Sequence, residues 1–385
     1  KPLAVLSLRS VLFSICLVLS EMRCKNIYFF LNYIKRIRNF VLKMNEMNNQ
    51  PQAASSHDLP KVSVVMCTYN GGRFLAEQLE SIIRQTYPVY EIIVQDDGST
   101  DNTQAVVEEY ARLYPFIRFY RHEGKPGINR NFFSALARAT GELIAVSDQD
   151  DIWELRKLEW QVEALGDNWL VGGISRPFST DGAPVSFDRR LPNIHLLRML
   201  YVGMMPGHTQ LFRRELLAKL PQCDFFMYDL QLQVVAAAAG KVAYVPRVVV
   251  NQRRHVTAAT YSEPVDRRHS LSNIFSSAYD SLRVYRLLRP TVRNRFRHWT
   301  EFLQALPWQT AALDDALKMS HLQASSSLSD RCRLVLFCIR HRAHLFHVAE
   351  RNPLLAVLRA AFFPVSCVSY YRYVLADAKY KGTPP

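Results

Sequence analysis

Acidic residues are almost absent from Arg331–Lys381, where only Glu350 and Asp377 occur among aliphatic, aromatic and basic residues. With Lys+Arg 48 against Asp+Glu 34, the chain carries +14 overall. That balance calls for an anionic partner: nucleic acid, a phospholipid surface or a diphosphate. No basic recognition helix or RNA-binding motif is present, which argues against nucleic acid. C-x-x-C pairs are also missing. The seven cysteines (Cys16, Cys24, Cys67, Cys223, Cys332, Cys338, Cys367) are odd in number and scattered, as expected of reduced thiols. Cys332 and Cys338 precede His341, His344 and His347. Those histidines recur at helical spacing, so a basic helical face accounts for them better than zinc. The apolar run Leu3–Leu19 is broken by Arg9 and is shorter than the ~20 residues of a spanning helix. Nor is there a convincing multi-span tail. No internal repeat is visible, and 49% hydrophobic with 21% charged residues is ordinary for a globular chain.

What is present begins at Pro60. Val62–Cys67 and Ile92–Gln95 are short apolar runs that end in the loops TYNGG and DDGST, and each loop precedes a helical pattern. A third run, Leu143–Ser147, ends in SDQDDIW. Alternation of this kind predicts parallel strands with crossover helices, an α/β fold. Ligands of open sheets sit at the carboxyl ends of the strands, where Thr68, Tyr69, Asn70, Asp96, Asp97 and three later carboxylates all fall. Such an acidic rim suits a metal-assisted nucleotide site. The first loop lacks G-x-G-x-x-G, which makes a dinucleotide-dependent oxidoreductase the less favoured alternative.

The expected strands are Val62–Cys67, Glu91–Gln95, Ile117–Tyr120, Leu143–Ser147, Trp169–Ile174, Lys241–Val245 and Val248–Val250. Helices are expected over Phe74–Arg84, Thr103–Tyr114, Asn129–Ala139, Ile152–Leu165, Leu211–Leu220, Leu230–Ala239, Arg267–Leu288 and Thr291–Leu306. Ser99 or Asp101 can cap the second of these helices. Three regions follow: 1–59, an extension and linker; 60–262, the α/β domain; and 263–385, a helical basic region. The reading also places residues 1–43 upstream of the true start, with Met44 or Met47 as initiator.

TYNGGRFLAEQLESI, IIVQDDGSTDNT and VSDQDDIW, in this order, resemble a family 2 inverting glycosyltransferase of the GT-A fold. The DQDDIW form resembles the rhamnosyltransferase-like branch. The resemblance covers roughly Lys61 to Thr257. It implies a mostly parallel sheet with helices on both faces, a nucleotide-sugar donor, a glycan or glycolipid acceptor, and Mg2+ or Mn2+. Asp148 and Asp150 fall at the DxD position, where oxygen ligands suit these ions; Asp150 is expected as the direct ligand and Asp151 behind it. Asp97 would bond the base of the nucleotide, with Thr68, Tyr69 and Asn70 lining its pocket and Arg130 nearby. Asp229 is the candidate general base, with Asp224 its rival. His208 and Thr209 are expected on the acceptor side. His255 would reach the metal, and Arg253 and Arg254 the phosphates. Each also has a plainer reading: Asp229 as a helix cap, Asp148–Asp151 as acids at a helix start.

The function expected is transfer of a sugar, in this branch rhamnose, to a lipid-linked or surface polysaccharide. The alternative is a non-catalytic nucleotide-sugar-binding relative. Basic helices with an apolar face suit the interface of an anionic membrane. The expected location is therefore the cytoplasmic face of the inner membrane, peripherally bound.

Overall fold

The computed structural model describes residues 59–182, 185, 187, 191–255, 271–346 and 352–371. The expected extension 1–59, apart from Leu59, lies outside the described residues. So do 256–270, where the expected boundary at 262/263 falls, and 372–385.

An eight-stranded mixed sheet forms the frame. Its strands are β1 (Val62–Thr68), β2 (Val89–Asp96), β3 (Ile117–Arg121), β4 (Leu143–Ser147), β5 (Ile152–Trp153), β6 (Leu170–Ser179), β7 (Leu211–Arg213) and β8 (Val242–Arg254), in the order β3-β2-β1-β4-β7-β6-β8-β5. The first four are parallel: β1 pairs with β2 and β4, and β2 with β3. Their crossovers are α1 (Leu75–Ile83), α2 (Thr103–Leu113) and α3 (Ile128–Leu136). Parallel strands buried on both faces read as continuous apolar runs, and β1 and β4 are buried along nearly their whole length. Successive side chains still alternate between faces. Val62, Val64 and Met66 join one hydrophobic cluster, whereas Val65 joins the other. The expected α/β GT-A arrangement, a largely parallel sheet between helices followed by a helical region, is the one observed.

Two short runs depart from the helices their periodicity predicts. Ile152–Leu165 is not one helix. Ile152 and Trp153 pair antiparallel with Asn251 and Val250, and helix α4 spans only Lys157–Leu165. Leu211–Leu220 is likewise a strand, Leu211–Arg213, followed by a 3-10 segment, Arg214–Lys219. Leu211 and Phe212 are wedged between β4 and β6, and tertiary pairing overrides the local pattern of so short a run. Two other pairs of expected elements fuse. Val242–Arg254 runs through Pro246 as one strand, with register shifts against β6 between Gly173 and Ser175. At the second helix, Asn102 rather than Ser99 or Asp101 is the N-cap residue, although the Asp101 carboxylate does accept the Thr103 N–H at 3.0 Å.

The remaining helices are α5 (Leu196–Met199), α6 (Tyr228–Ala238), α7 (Leu271–Gln304), α8 (Ala311–Ala324), α9 (Leu328–Arg340), α10 (Arg342–Leu345) and α11 (Pro353–Ser366). Helix α7 continues through Pro290, where the sequence suggested a break. A proline there removes one backbone bond; Leu288 and Val292, both buried, hold the helix down on either side. Trp299 of α7 is fully buried, donates from Nε1 to the Leu200 carbonyl at 2.8 Å, and stacks on Phe226 at 3.5 Å. The C-terminal helices thus share the hydrophobic cluster on one face of the sheet.

Candidate active site

The loop after β1 is shaped by two glycines. A Cβ on Gly71 would overlap the Gln149 carboxamide, and one on Gly72 would overlap that of Asn102. Asn70 takes a left-handed backbone, φ 50°, which Asn tolerates better than most residues. Gln149, from the loop after β4, grips this turn. It accepts the Tyr69 N–H at 2.8 Å and donates to the Tyr69 carbonyl at 3.1 Å. The Tyr69 ring stays 58% exposed at the rim. Asn70 Oδ1 accepts the Thr100 N–H at 2.9 Å, so the loops after β1, β2 and β4 are tied together.

Thr68 and Asp96 are buried and face each other, with the Thr68 hydroxyl donating to Asp96 at 2.9 Å. Asp96 also accepts the N–H groups of Gly98 and Ser99, so its carboxylate builds the DDGST turn. Asp97 turns the other way. One oxygen lies 2.7 Å from His122 Nδ1 and the other accepts the Gly127 N–H at 2.7 Å. His122 was not singled out from the sequence; its place just past β3, on the same rim, was the available signal. Arg130 is exposed on the first turn of α3, and no partner for its guanidinium is found among the described residues. It is not drawn into the cluster described next.

After β4 the carboxylates converge with two histidines. Asp148 Oδ2 is 3.0 Å from Nδ1 of His208, and Asp150 Oδ2 is 2.9 Å from Nε2 of His255. Asp151 is buried; one oxygen accepts the Arg253 N–H at 2.9 Å, and the other has no hydrogen-bond partner and lies 3.7 Å from His208 Nδ1. The strand pairing of Ile152 and Trp153 with β8 brings Asp151 and Arg253 together. Burial and the neighbouring Asp148 raise the Asp150 carboxyl above the usual carboxylate range. Burial pushes Asp151 up as well. In His208, burial disfavours the imidazolium, yet Asp151 and Asp148 outweigh it and the net displacement is upward. Lys157, fully buried over the Trp153 ring at 3.4 Å, donates to the His208 carbonyl at 3.1 Å, and burial pushes its amine well below the usual lysine range.

One ligand atom each from Asp148, Asp151 and His208 lies within 4.8 Å of the others. The unpartnered Asp151 oxygen aimed into this group, with carboxylate and imidazole donors around it, fits a divalent cation. The sequence placed His208 and Thr209 together on the acceptor side. Both are buried: His208 joins the carboxylates, while the Thr209 hydroxyl donates to the Pro206 carbonyl at 2.8 Å. Arg253 was expected at phosphates. Its guanidinium is instead buried, bonded to Glu77 at 2.5 Å and to the Asp150 carbonyl at 2.9 Å, with Phe74 and Phe178 stacked on it.

Asp229 lies in the first turn of α6, two residues past the N-cap Met227, and so is not the cap. Its Oδ1 accepts the Leu230 N–H at 2.9 Å. Desolvation, with Asp148 adding to it, pushes this carboxyl up to about 6. Asn129, given no role in the sequence analysis beyond opening a helix, fixes the start of α6 from α3. It accepts the Tyr228 N–H at 2.6 Å and donates to the Phe226 carbonyl at 3.1 Å. The rival, Asp224, is exposed.

Residues 63–221 match the model of the family described as "Glycosyl transferase family 2". A glycosyltransferase of Nostoc sp. is 34% identical over 132 residues, 34% of this chain and 40% of that one. An Escherichia coli protein named UDP-Glc:alpha-D-GlcNAc-diphosphoundecaprenol beta-1,3-glucosyltransferase is 36% identical over 107 residues, 28% of this chain and 42% of that one. The chain therefore spans less than half the length of these relatives. Among solved structures, Staphylococcus aureus TarS 1-349 in complex with UDP-GlcNAc aligns with 84% of this chain and 92% of its own, at 17% identity and a TM-score of 0.48. The likeness to glycosyl transferase family 2 runs through residues 63–221 of the chain.

Proposed function

We propose that the chain transfers a sugar from a nucleotide-diphosphate donor to a hydroxyl of a lipid-linked or surface polysaccharide, with inversion. The observation that carries this reading is Asp229: a half-buried carboxyl, raised to about 6, that feels both Asp148 and His208. A base with a pKa just below neutrality is ionised at pH 7 yet still basic enough to take a proton from a hydroxyl in the transition state. Asp97, Thr68, Tyr69 and Asn70 are assigned to the nucleoside end of the donor, where Tyr69 offers an exposed ring for stacking and Asp97 is already oriented by His122. Arg130, free in solvent, would approach the donor phosphates. Asp148, Asp151 and His208 would hold Mg2+ or Mn2+, with Asp150 and His255 as the adjoining pair. A cation there would neutralise charge developing on the leaving diphosphate. Thr209 supports the acceptor side through the turn at Pro206.

The rhamnosyl branch remains the proposed donor class, on the DQDDIW sequence alone. The 60–262 region is proposed as the catalytic domain and 263–385 as its basic helical partner. An anionic membrane on the cytoplasmic side is proposed as the surface where the acceptor is met. A panel of nucleotide sugars, scored for released nucleotide diphosphate with Mn2+ and with EDTA, tests the reading. Release from one donor class, lost in EDTA, is expected. Donor binding without release under any condition would favour the non-catalytic alternative.

A further inference from the structure

Helices α7, α8, α9 and α11 line a partly open cavity of about 150 Å³ that shares no lining residue with the acidic rim of the sheet. Three arginines line it: Arg289 and Arg293, one turn apart on α7 and half-buried, and Arg331 on α9, which is exposed. Arg293 has burial first, and then the charges of Arg289, Arg297 and Arg331, all acting against its own charge. No carboxylate pairs with Arg289, Arg293 or Arg331 among the described residues; the nearby Asp330 is bonded to Ser325 and Arg333. The rest of the lining is largely apolar, with Leu322, Leu334, Ala361, Val365 and Val368.

The apolar wall continues out of the cavity. Leu354, Leu358, Ala361 and Val365 fall on one face of α11 at helical spacing. The two leucines, 67% and 55% exposed, extend that face onto the surface. The other face of α11 is anchored in the protein, where Phe363 packs edge-on against Tyr201 at 4.8 Å and against Phe346 at 5.3 Å. The segment Pro353–Tyr371 is long and apolar enough to cross a membrane, with 28% of it buried. The cavity is smaller than the ~300–1,000 Å³ of pockets that swallow a drug-sized ligand. It suits a compact anion with the first few methylenes of a chain.

We propose that this cavity seats the phosphate headgroup of a membrane lipid. Arg289, Arg293 and Arg331 take the phosphate, and the Leu354–Leu358–Ala361–Val365 track takes the chain. Arg293 and Arg331 donate to the carbonyls of Ala324 and Ser326 but meet no carboxylate among the described residues, so one bound anion would offset their mutual repulsion, and a charged rim beside an apolar track matches an amphiphile rather than a free ion. The assignment deepens the membrane contact proposed above and is independent of the transfer reaction.

Sedimentation of the full chain with phosphatidylcholine vesicles, with and without phosphatidylglycerol, tests it. Wild type is expected on the phosphatidylglycerol vesicles only. Each exposed arginine near an anionic surface contributes to attraction, so a charge-matched control is needed. Arg333→Gln/Arg340→Gln/Arg342→Gln removes three exposed charges outside the cavity. The Arg289→Gln/Arg293→Gln/Arg331→Gln variant is expected to lose at least about tenfold more binding than this control, since three charges acting together exceed three acting separately. Leu358→Glu, at an exposed position, is expected to lose binding with an unchanged melting temperature. Equal loss in the two triple variants overturns the cavity while leaving the surface contact intact. Absence of wild-type binding overturns both. Release by inorganic phosphate beyond that by chloride at matched ionic strength means the cavity takes the free anion, and the lipid assignment falls.

Discussion

Replacing Asp229 by Asn separates catalysis from stability, because the two should move in opposite directions. The carboxyl is displaced from its ordinary 3.8 to about 6 by desolvation first and Asp148 second. That displacement corresponds to ~3 kcal/mol favouring the protonated form in the folded state. The native state therefore holds a proton on Asp229 between pH 3.8 and about 6 that the unfolded chain has released. Stability from this group falls as pH rises through that window, and the full cost is present above it. Asn has no charge to bury. Asp229→Asn should melt higher than wild type at pH 7.5, by at most ~3 kcal/mol, and equally at pH 3.5. The Asn oxygen can still accept the Leu230 N–H. Turnover should fall by about 10²-fold or more, with donor binding retained, because the proton acceptor is gone. In the wild type, kcat/KM should fall as pH drops through about 6, and the part of that fall owed to Asp229 should be missing from the residual activity of the Asn variant. Calorimetric scans at the two pH values and initial rates across pH 5–8 read all of this. An Asn variant that turns over normally, or is less stable at pH 7.5, refutes the role given to this carboxyl. Loss of activity in Asp224→Asn alone would move the role to that residue.

Gly71→Ala should weaken nucleotide binding about tenfold by calorimetry at nearly constant melting temperature. The new methyl displaces the Gln149 carboxamide from its two bonds to Tyr69, each worth ~0.5–1.5 kcal/mol; unchanged affinity would show that the grip on Tyr69 is dispensable. Trp299→Ala removes a fully buried ring stacked on Phe226 and should destabilise by ~3–5 kcal/mol in denaturant melts. A loss under 1 kcal/mol would mean that α7 contributes little to the fold around α6.

The parallel half of the sheet was legible because each of β1, β2 and β4 is a continuous apolar run closed by a Gly-containing or acidic loop. Two-residue and three-residue strands were not. Ile152–Trp153 and Leu211–Arg213 owe their conformation to partners distant in sequence, Val250–Asn251 and Leu143–Ala145, which no local window contains. The site follows the same division. Residues at strand ends, such as Thr68, Asp97 and Asp148, could be placed on the rim by counting. The Asp150–His255 contact was reachable through the family resemblance. Convergence of His208 with Asp148 and Asp151 was not, because it depends on how the turn at Pro206 docks against β4. Gln149, His122 and Asn129 are side chains that hold loops to each other, and their chemistry is unremarkable in sequence. Arg253 illustrates the converse: its charge suggested a phosphate ligand, while the fold commits it to Glu77 and two aromatic faces.

The contact between Phe226 and Trp299 bears on how such chains can be recombined. Phe226 stands three residues before Asp229, on the loop that delivers it, and its ring is covered by a helix that begins more than forty residues later in the chain, at Leu271. A chimera that grafts the sheet region of one relative onto the helices of another would leave that ring against a mismatched surface. Asp229 would then be displaced without any change in the acidic rim itself. Exchanging acceptor preferences by swapping halves therefore requires carrying Phe226 and Trp299 as a matched pair.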